Sequence, residues 1–600
     1  MRRLLRAAVL AATVVASAPA TPSAVGSMTP AFESRGLPVA ETKLFDLGVA
    51  DRDRDGRLDV YTVNHSYPES WLERPPAGPF ADLTVPLGLA QDPRFPGWER
   101  TYGGPPPPDR GPGLYVYITK ATLGPETREQ LVLEARGVGA AGSVVLDPER
   151  HWQVTSLEQA QIDEAATDGA DRIGFSIAAG GRARLQVGHL DLPIALSSAS
   201  AAAPLFLGAD AVPGGFTTTV SLRDRHAYAL GDLDEDGRED LFSVVGGLGG
   251  DIAVPPFRGR VFDELLAGTS RGFRPMAQQL PKDDCRGRQA DIVDIDADGD
   301  ADLFASCEAG DPSVLTQTAS GFRLSDIPDA AATTYRWVAA DRDPRPELLV
   351  AGGGPARMLE LGANGWRTVS SAHLLSGVGD VRSISVGDLD GDGRADFLCA
   401  SPDGNTLLRG LGKGRIRAVD PQRLGLPARS AAASWVDVDL DGRLDLHTLP
   451  QGLFMRAAAN RFRLAGELSI RPAPHAISLW ADLDNDGRRD SIAAVGSGLM
   501  GPSHEVSMAI NRTRRRGRWL ELDLPGAAQT ARITVHWNGR TSVGWAGQAD
   551  DSPFSQTHDR VYFGLGRGPE TLRARIRVRG AGIDPVRLRT RTDRIVRVSP

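Results

Sequence analysis

Short apolar runs separated by acidic, glycine-bearing turns recur along most of this chain. Each copy has one grammar: an apolar strand, then Asp-x-Asp-x-Asp-Gly-x-x-Asp, then a second apolar strand. The acidic segment begins at Asp51 (DRDRDGRLD), Asp232 (DLDEDGRED), Asp294 (DIDADGDAD), Asp388 (DLDGDGRAD), Asp437 (DVDLDGRLD) and Asp482 (DLDNDGRRD). A seventh, decayed copy begins at Asp341 as DRDPRPE, inside VAADRDPRPELLVAGG. From Asp294 onward the starts step by 47, 47, 49 and 45 residues, the length of a four-stranded propeller blade. The repeated period predicts an all-β chain built around a β-propeller.

The spacing carries chemistry as well as fold. Carboxylates at positions 1, 3, 5 and 9 are hard oxygen donors, several per site, as Ca²⁺ prefers. Glycine at position 6 permits the curl that lets alternate side chains converge. The candidate ligands are Asp51, Asp53, Asp55 and Asp59 in the first loop, and Asp232, Asp234, Asp236 and Asp240 in the second. Asp294, Asp296, Asp298, Asp302, Asp388, Asp390, Asp392 and Asp396 follow. Asp437, Asp439, Asp441, Asp445, Asp482, Asp484, Asp486 and Asp490 complete the set. Up to six structural calcium ions are expected. Position 12 holds Thr62, Ser243, Ala305, Cys399, Thr448 and Ala493, never the bidentate Glu of an EF-hand. In the decayed copy Arg345 stands at position 5, and the glycine and ninth-position Asp are missing. That blade is expected to be free of calcium, with Arg345 neutralising Asp341 and Asp343.

These segments resemble FG-GAP/VCBS repeats, the blade units of integrin-type propellers, over about 40–65 and 225–500; the resemblance implies a seven-bladed β-propeller, which the seven copies match. The resemblance implies calcium loops between two strands of each blade, at one rim. The last 90 residues resemble the ASPIC/UnbV domain: RWLELDLPG, then ARITVHWNGRTSVG, then VYFGLG at 561–566, with Ser555-Gln556 before it. This order of domains is that of the cartilage acidic protein family and its bacterial relatives. The turn Gly526–Thr530 is shorter than in relatives of that family.

The remaining segments set the boundaries. Met1-Arg2-Arg3-Leu4-Leu5-Arg6, the apolar stretch to Ala18 and the small residues Ala18-Pro19-Ala20 read as a secretory signal peptide at 1–20. An N-terminal segment and first blade follow at 21–109. A stiff Gly-Pro run at 103–108 leads into strand candidates that predict an inserted β-sandwich at 110–200, with a short helix at 156–166. The other blades occupy 201–508, and the C-terminal β-domain 509–600. In that domain Arg573, Arg575, Arg577 and Arg579 alternate with apolar residues, and Arg587, Arg589 and Arg591 repeat the pattern. Residues 511–600 carry 18 Arg against 8 acidic residues.

Composition narrows the functional classes. The net charge of −8 gives no basic footprint for nucleic acid, and no stretch approaches the length of a transmembrane span. Of the three cysteines, Cys285 and Cys307 are the leading disulfide pair, with Cys399 left as a buried thiol. His226 near Asp224 reads as part of a strand-edge ion pair rather than a catalytic couple. No nucleophile elbow, phosphate loop or His/Cys metal cluster is present. The expectation is a secreted, non-enzymatic binding or adhesion module. Its partner would be an extracellular glycan or protein, with an anionic polymer as candidate ligand of the Arg-rich domain. The competing reading is a secreted carbohydrate-active enzyme, such as a polysaccharide lyase on a calcium-stabilised propeller.

Overall fold

Antiparallel pairing of strands that follow one another in sequence organises nearly the whole computed structural model. It describes residues 29–598 except 40–43, 65–68, 76–77, 85–86, 88, 90–108, 124–125, 147–151, 168–169, 188–193, 199–203, 208–209, 213–216, 221–224, 247–249, 253–258, 262, 277–279, 282–284, 309, 342, 376, 378, 458–460, 497–503, 525–529, 538, 548–551, 559, 568–573 and 580–586. The expected signal peptide, the Gly-Pro run and Asp224 lie outside these residues. No helix among the described residues is long and apolar enough to cross a membrane.

Seven four-stranded antiparallel sheets carry the repeats. Their first strands are Leu44–Ala50, Arg225–Gly231, Gly287–Val293, Thr334–Val338, Ser383–Gly387, Ala432–Val436 and His475–Ala481. These strands are buried along almost their entire length, so both faces pack against protein. That explains why they read as continuous apolar runs rather than alternating ones. Successive sheets bury shared clusters. Tyr228 and Leu241 pack with Tyr61 and Trp71, and Phe304 packs with Tyr335 and Trp337. Trp435 and Trp480 are fully buried, in two further clusters of this kind. The last sheet packs on the first, through Ile477, Leu479 and Ile492 against Leu44, Leu47 and Val49.

Three boundaries differ from expectation: the insert expected to end at 200 continues to Val220, and two more differ at the last repeat sheet. Phe32–Arg35 joins the last sheet, not the first, pairing antiparallel with His504–Asn511. The same pairing carries the last repeat sheet past residue 508, to Asn511. Both ends of the repeat region therefore meet in one sheet, which covers an edge that would otherwise be exposed.

The segment at 110–200 forms one hydrogen-bonded sheet that extends to Val220 and has nine strands. Its long strand, Ala170–Val187, pairs through 171–177 with Ala140–Leu146 and through 182–186 with Glu126–Arg136. Between these halves the register shifts, and Gly180 sits at φ 83°. This bulge lets one strand serve both halves around the core of Leu133, Val144, Phe175 and Leu185. The helix expected at 156–166 is instead strand Trp152–Thr167, paired along the other edge of the long strand. Pairing with an 18-residue neighbour overrides the weak local helix preference.

The C-terminal region has a three-stranded and a four-stranded sheet around Leu520, Leu522, Ile533, Val535, Phe563 and Leu565. One of its segments, Ser552–His558, enters the ring. Gln556 Nε2 donates to Ile292 O at 2.9 Å, and its Oε1 accepts from Ile292 N at 3.1 Å. Gln556 N donates to Tyr228 O at 2.9 Å, and Ala290 N to Phe554 O at 3.0 Å. Asp46 accepts from Ser552 Oγ at 2.6 Å and from Ser555 N at 2.5 Å. First strands of three successive sheets thus hold one segment.

Cys285 and Cys307 form a disulfide, and Cys399 is a buried free thiol pushed up to about 12 by burial. His226 stacks on Phe45 and bonds Gly287 O at 2.9 Å, while its neighbour Arg225 holds Glu69 at 2.8 Å and Glu264 at 2.6 Å. The buried ion pair at this strand end belongs to Arg225.

Gln556→Ala should lower stability by about 1–3 kcal/mol in urea unfolding, because it strands a buried N–H and C=O. An unchanged midpoint would show that the segment does not hold the C-terminal domain in solution. Peptide mapping without reductant should recover Cys285 linked to Cys307, with Cys399 alkylated only after unfolding.

Candidate metal centres

Each acidic segment is the hairpin between the first two strands of its sheet. The residue before position 1 pairs with position 9, as in Ala50↔Asp59, Gly231↔Asp240, Val293↔Asp302, Gly387↔Asp396, Val436↔Asp445 and Ala481↔Asp490. The glycine at position 6 takes positive φ in all six loops, from 79° to 104°. Its N–H donates to the position-1 carboxylate at 2.7–3.0 Å in every loop. Position 4 is also left-handed although only Gly391 is a glycine; Arg54, Glu235, Ala297, Leu440 and Asn485 lie at φ 54–62°. The residue types at position 4 are too varied to signal that second reversal.

Position 9 has a double role. Asp240, Asp302, Asp396, Asp445 and Asp490 each accept from the N–H of position 2, at 2.9–3.2 Å. Their other oxygen accepts a backbone N–H from Gly268, Gln317, Gly410, Arg456 or Asn511, at 2.6–2.9 Å. These carboxylates tie hairpin to sheet before any ion is considered. Asp59 instead receives Trp71 Nε1 and Arg74 N, both at 3.1 Å.

Oxygens from positions 1, 3 and 9 come within 4.8 Å of one another in four loops: Asp232/Asp234/Asp240, Asp294/Asp296/Asp302, Asp388/Asp390/Asp396 and Asp437/Asp439/Asp445. In the first loop the set is Asp51, Asp53 and Asp55. Those four sets leave out position 5. Asp236, Asp392 and Asp441 are instead bonded by the arginine at position 7, Arg238, Arg394 and Arg443. Arg57 and Arg488 hold Asp55 and Asp486 in the same way.

Burial raises the position-1 and position-9 carboxyls. Asp437 is pushed up to about 8, Asp302 and Asp59 to about 7, and Asp51, Asp240, Asp294 and Asp396 to about 6, desolvation leading in each. Asp51 Oδ1, Asp232 Oδ1 and Asp484 Oδ1 are buried with no hydrogen-bond donor among the described residues. Clustered, desolvated, acceptor-only oxygens fit a hard divalent cation, which supplies the missing positive charge. Several of these clusters could therefore hold a metal ion.

The seventh copy has a different frame from the expected one. Val338 pairs with Glu347, and Ala340 N donates to Glu347 Oε2 at 2.7 Å, so Glu347 is position 9. Position 1 is then Ala339, Asp341 and Asp343 are positions 3 and 5, and Pro344 is position 6. Arg345 is position 7; its N–H donates to Asp343 at 3.0 Å, and its side chain reaches Asp296 O at 3.1 Å. The carboxylate acceptor of position 1 and the N–H donor of position 6 have been lost together.

The C-terminal domain lies over this rim. Arg597 pairs with Asp51 at 3.3 Å, Arg516 with Asp439 at 2.9 Å and Arg512 with Asp484 at 2.7 Å. Arg560 donates to Gly56 O, Arg532 to Gly393 O and Trp545 to Ala339 O, at 2.7–2.9 Å. A Cβ at Gly564, in the FGLG strand, would overlap the Asp437 carboxylate, so the motif's glycine permits this approach. A cleft of about 1140 Å³ remains between the Asp388 and Asp437 loops and this domain, lined in part by Trp519 and Trp537. Exposed Arg514, Arg540 and Arg567 also line it. Backbone pairing sets Arg575 opposite Arg589 and Arg577 opposite Arg587; Arg573 lies outside the described residues.

Glu347 gives a clean pH test. Burial pushes it from 4.5 up to about 8, so the folded chain holds its proton more tightly than the unfolded chain. The stability it contributes is complete below about pH 4.5 and is lost as pH rises towards about 8. Glu347→Gln should flatten that decline, by up to about 1.4 kcal/mol per pH unit. Superimposable stability–pH profiles for the two proteins would contradict it.

No curated protein matches the chain. Similar solved structures include a functionally unknown protein from Desulfotomaculum acetoxidans DSM 771, at 12% identity and TM-score 0.30 over 53% of this chain and 96% of that one. PorZ, a surface component of the type-IX secretion system of Porphyromonas gingivalis, is 10% identical at TM-score 0.30 over 92% and 75%. The V. cholerae biofilm matrix protein Bap1 is 12% identical at TM-score 0.25 over 81% and 71%. A family model described as FG-GAP-like repeat matches residues 340–399 and 388–448, which span the decayed copy and the Asp388 and Asp437 loops: the chain carries FG-GAP-like repeats.

Proposed function

We propose that this chain is a secreted, non-enzymatic binding or adhesion module: a seven-bladed propeller with calcium-bearing loops, capped by an ASPIC/UnbV-like domain. The observation that carries this reading is the repeated loop itself. Six hairpins present the same carboxylates, and in the Asp51, Asp232, Asp294, Asp388 and Asp437 loops three carboxylate oxygens lie within 4.8 Å of one another. The seven sheets, packed in sequence and with the last against the first, support the propeller.

Bound calcium would supply positive charge to oxygens that protein donors leave unmet. The chain's own residues do the rest. The position-1 Asp holds the glycine N–H, the position-9 Asp anchors the hairpin to its sheet, and the position-7 Arg restrains the position-5 carboxylate. The rim becomes a rigid platform rather than a set of mutually repelling loops. The Cys285–Cys307 disulfide suits an oxidising compartment, in keeping with the leader-like N-terminus. The partner we favour is an extracellular glycan or protein bearing negative charge. The arginines of the cleft and the facing arginine pairs of the C-terminal sheet support that choice.

Calorimetry in EDTA and in millimolar calcium tests the loop reading. Ligand that binds only the native state raises the melting temperature, so EDTA should lower it by many degrees. Coincident melting curves would overturn calcium binding.

A further inference from the structure

The strand Arg518–Asp523 divides its side chains between two tasks. Leu520 and Leu522, with Leu524 just beyond it, enter the core of the C-terminal domain. Trp519, Glu521 and Asp523 alternate with them and face the loop rim. A Cβ at Gly487, the position-6 glycine of the Asp482 loop, would overlap the Trp519 ring. Asp523 pairs with Arg597, which also reaches Asp51. Glu521 lies between them, against the Asp482 loop.

The surroundings of Glu521 are incomplete. It is 1% exposed, and both carboxylate oxygens are buried with no hydrogen-bond donor among the described residues. The fully buried Asp482 stands beside it: Asp482 N donates to the Tyr562 hydroxyl at 3.2 Å, and Tyr562 is the strand partner of Glu521. Asp482 already accepts from Asp486 N at 3.0 Å and Gly487 N at 2.7 Å. Asp484 Oδ1, from the same loop, is likewise buried without a donor. The guanidinium of Arg560 stands 3.6 Å from Glu521 Oε2, beyond hydrogen-bond range, and its N–H groups are directed to Gly56 O and Asn485 Oδ1. Arg489, a second guanidinium acting on Glu521, directs its Nη2 to Trp435 O at 2.7 Å. Neither guanidinium donates to Glu521, so its two buried oxygens lack what a cation or a shared proton would supply.

We propose that Glu521 is an inter-domain metal ligand that joins Asp482 and Asp484 around a divalent cation, so that this ion fastens the C-terminal domain to the ring. The proposal rests on the calcium reading of the loops and adds to it a ligand from outside the repeat. The alternative is a proton shared between Glu521 and Asp482. Glutamine separates the two, because its amide replaces a protonated carboxyl as donor but not an anionic oxygen as ligand.

The test is calcium titration calorimetry on the full chain, with hydrogen exchange of residues 552–558 as the reading of domain docking. Wild type, Glu521→Gln, Asp482→Asn and Asp234→Asn are compared. Glu521→Gln should lose one ion or weaken one site at least tenfold, and residues 552–558 should exchange at least tenfold faster in calcium. Asp482→Asn should do the same. Asp234→Asn should lose an ion yet keep the protection. Wild-type binding and protection in Glu521→Gln would overturn the proposal in favour of the shared proton. Should that variant not fold, equal protection in wild type and Asp482→Asn would overturn it as well. Absence of calcium uptake by wild type would instead defeat the loop reading.

Discussion

A carboxylate taken out of water must find a proton, a hydrogen-bond donor or a cation. The six hairpin loops press this requirement at six places along one chain, each with several carboxylates on one tight turn. Much of the local structure is an answer to it. The glycine N–H of position 6 serves position 1, and backbone N–H groups serve position 9. Arginine at position 7 serves position 5 in five loops. The oxygens still unmet, such as Asp232 Oδ1, are those a cation would satisfy.

The same requirement explains the seventh loop. Once Ala339 removes the position-1 carboxylate, the glycine N–H has no acceptor, and Pro344 can replace it without leaving a donor stranded. Glu347 still anchors the hairpin through Ala340. Arg345 keeps its backbone bond to Asp343 and extends its side chain to the Asp296 carbonyl of the neighbouring Asp294 loop. The loop has kept its place in the sheet while losing most of the chemistry of the others.

The C-terminal domain extends this logic across a domain boundary. Its arginines meet loop carboxylates and carbonyls, and its glycines admit close backbone approach at Gly564. On the other side, Ser552–His558 threads hydrogen bonds among three first strands. Asp46 is held there among two serine hydroxyls and backbone N–H groups, and burial pushes it up to about 7. Ring and domain therefore form one interlocked structure, although the sequence presents them as separate segments.

Local repetition made the hairpins, their glycines and their strand flanks legible, because spacing within nine residues determines which side chains a turn can gather. The Ser555-Gln556 pair and the RWLELDLPG segment are also legible, but not their partners. What spacing could not give depends on pairing over long distances. Phe32–Arg35 finds its place only beside His504–Asn511, and Trp152–Thr167 becomes a strand only against Ala170–Val187. The frame of the decayed loop was misread because its first Asp looked like position 1, and only the pairing of Val338 with Glu347 corrects it. Nothing in the sequence singles out Glu521 within RWLELDLPG; its burial against the Asp482 loop is a tertiary fact. The sequence by itself determined the repeated carboxylate hairpins; the tertiary structure decided what covers them, because desolvation depends on packing from parts of the chain hundreds of residues away.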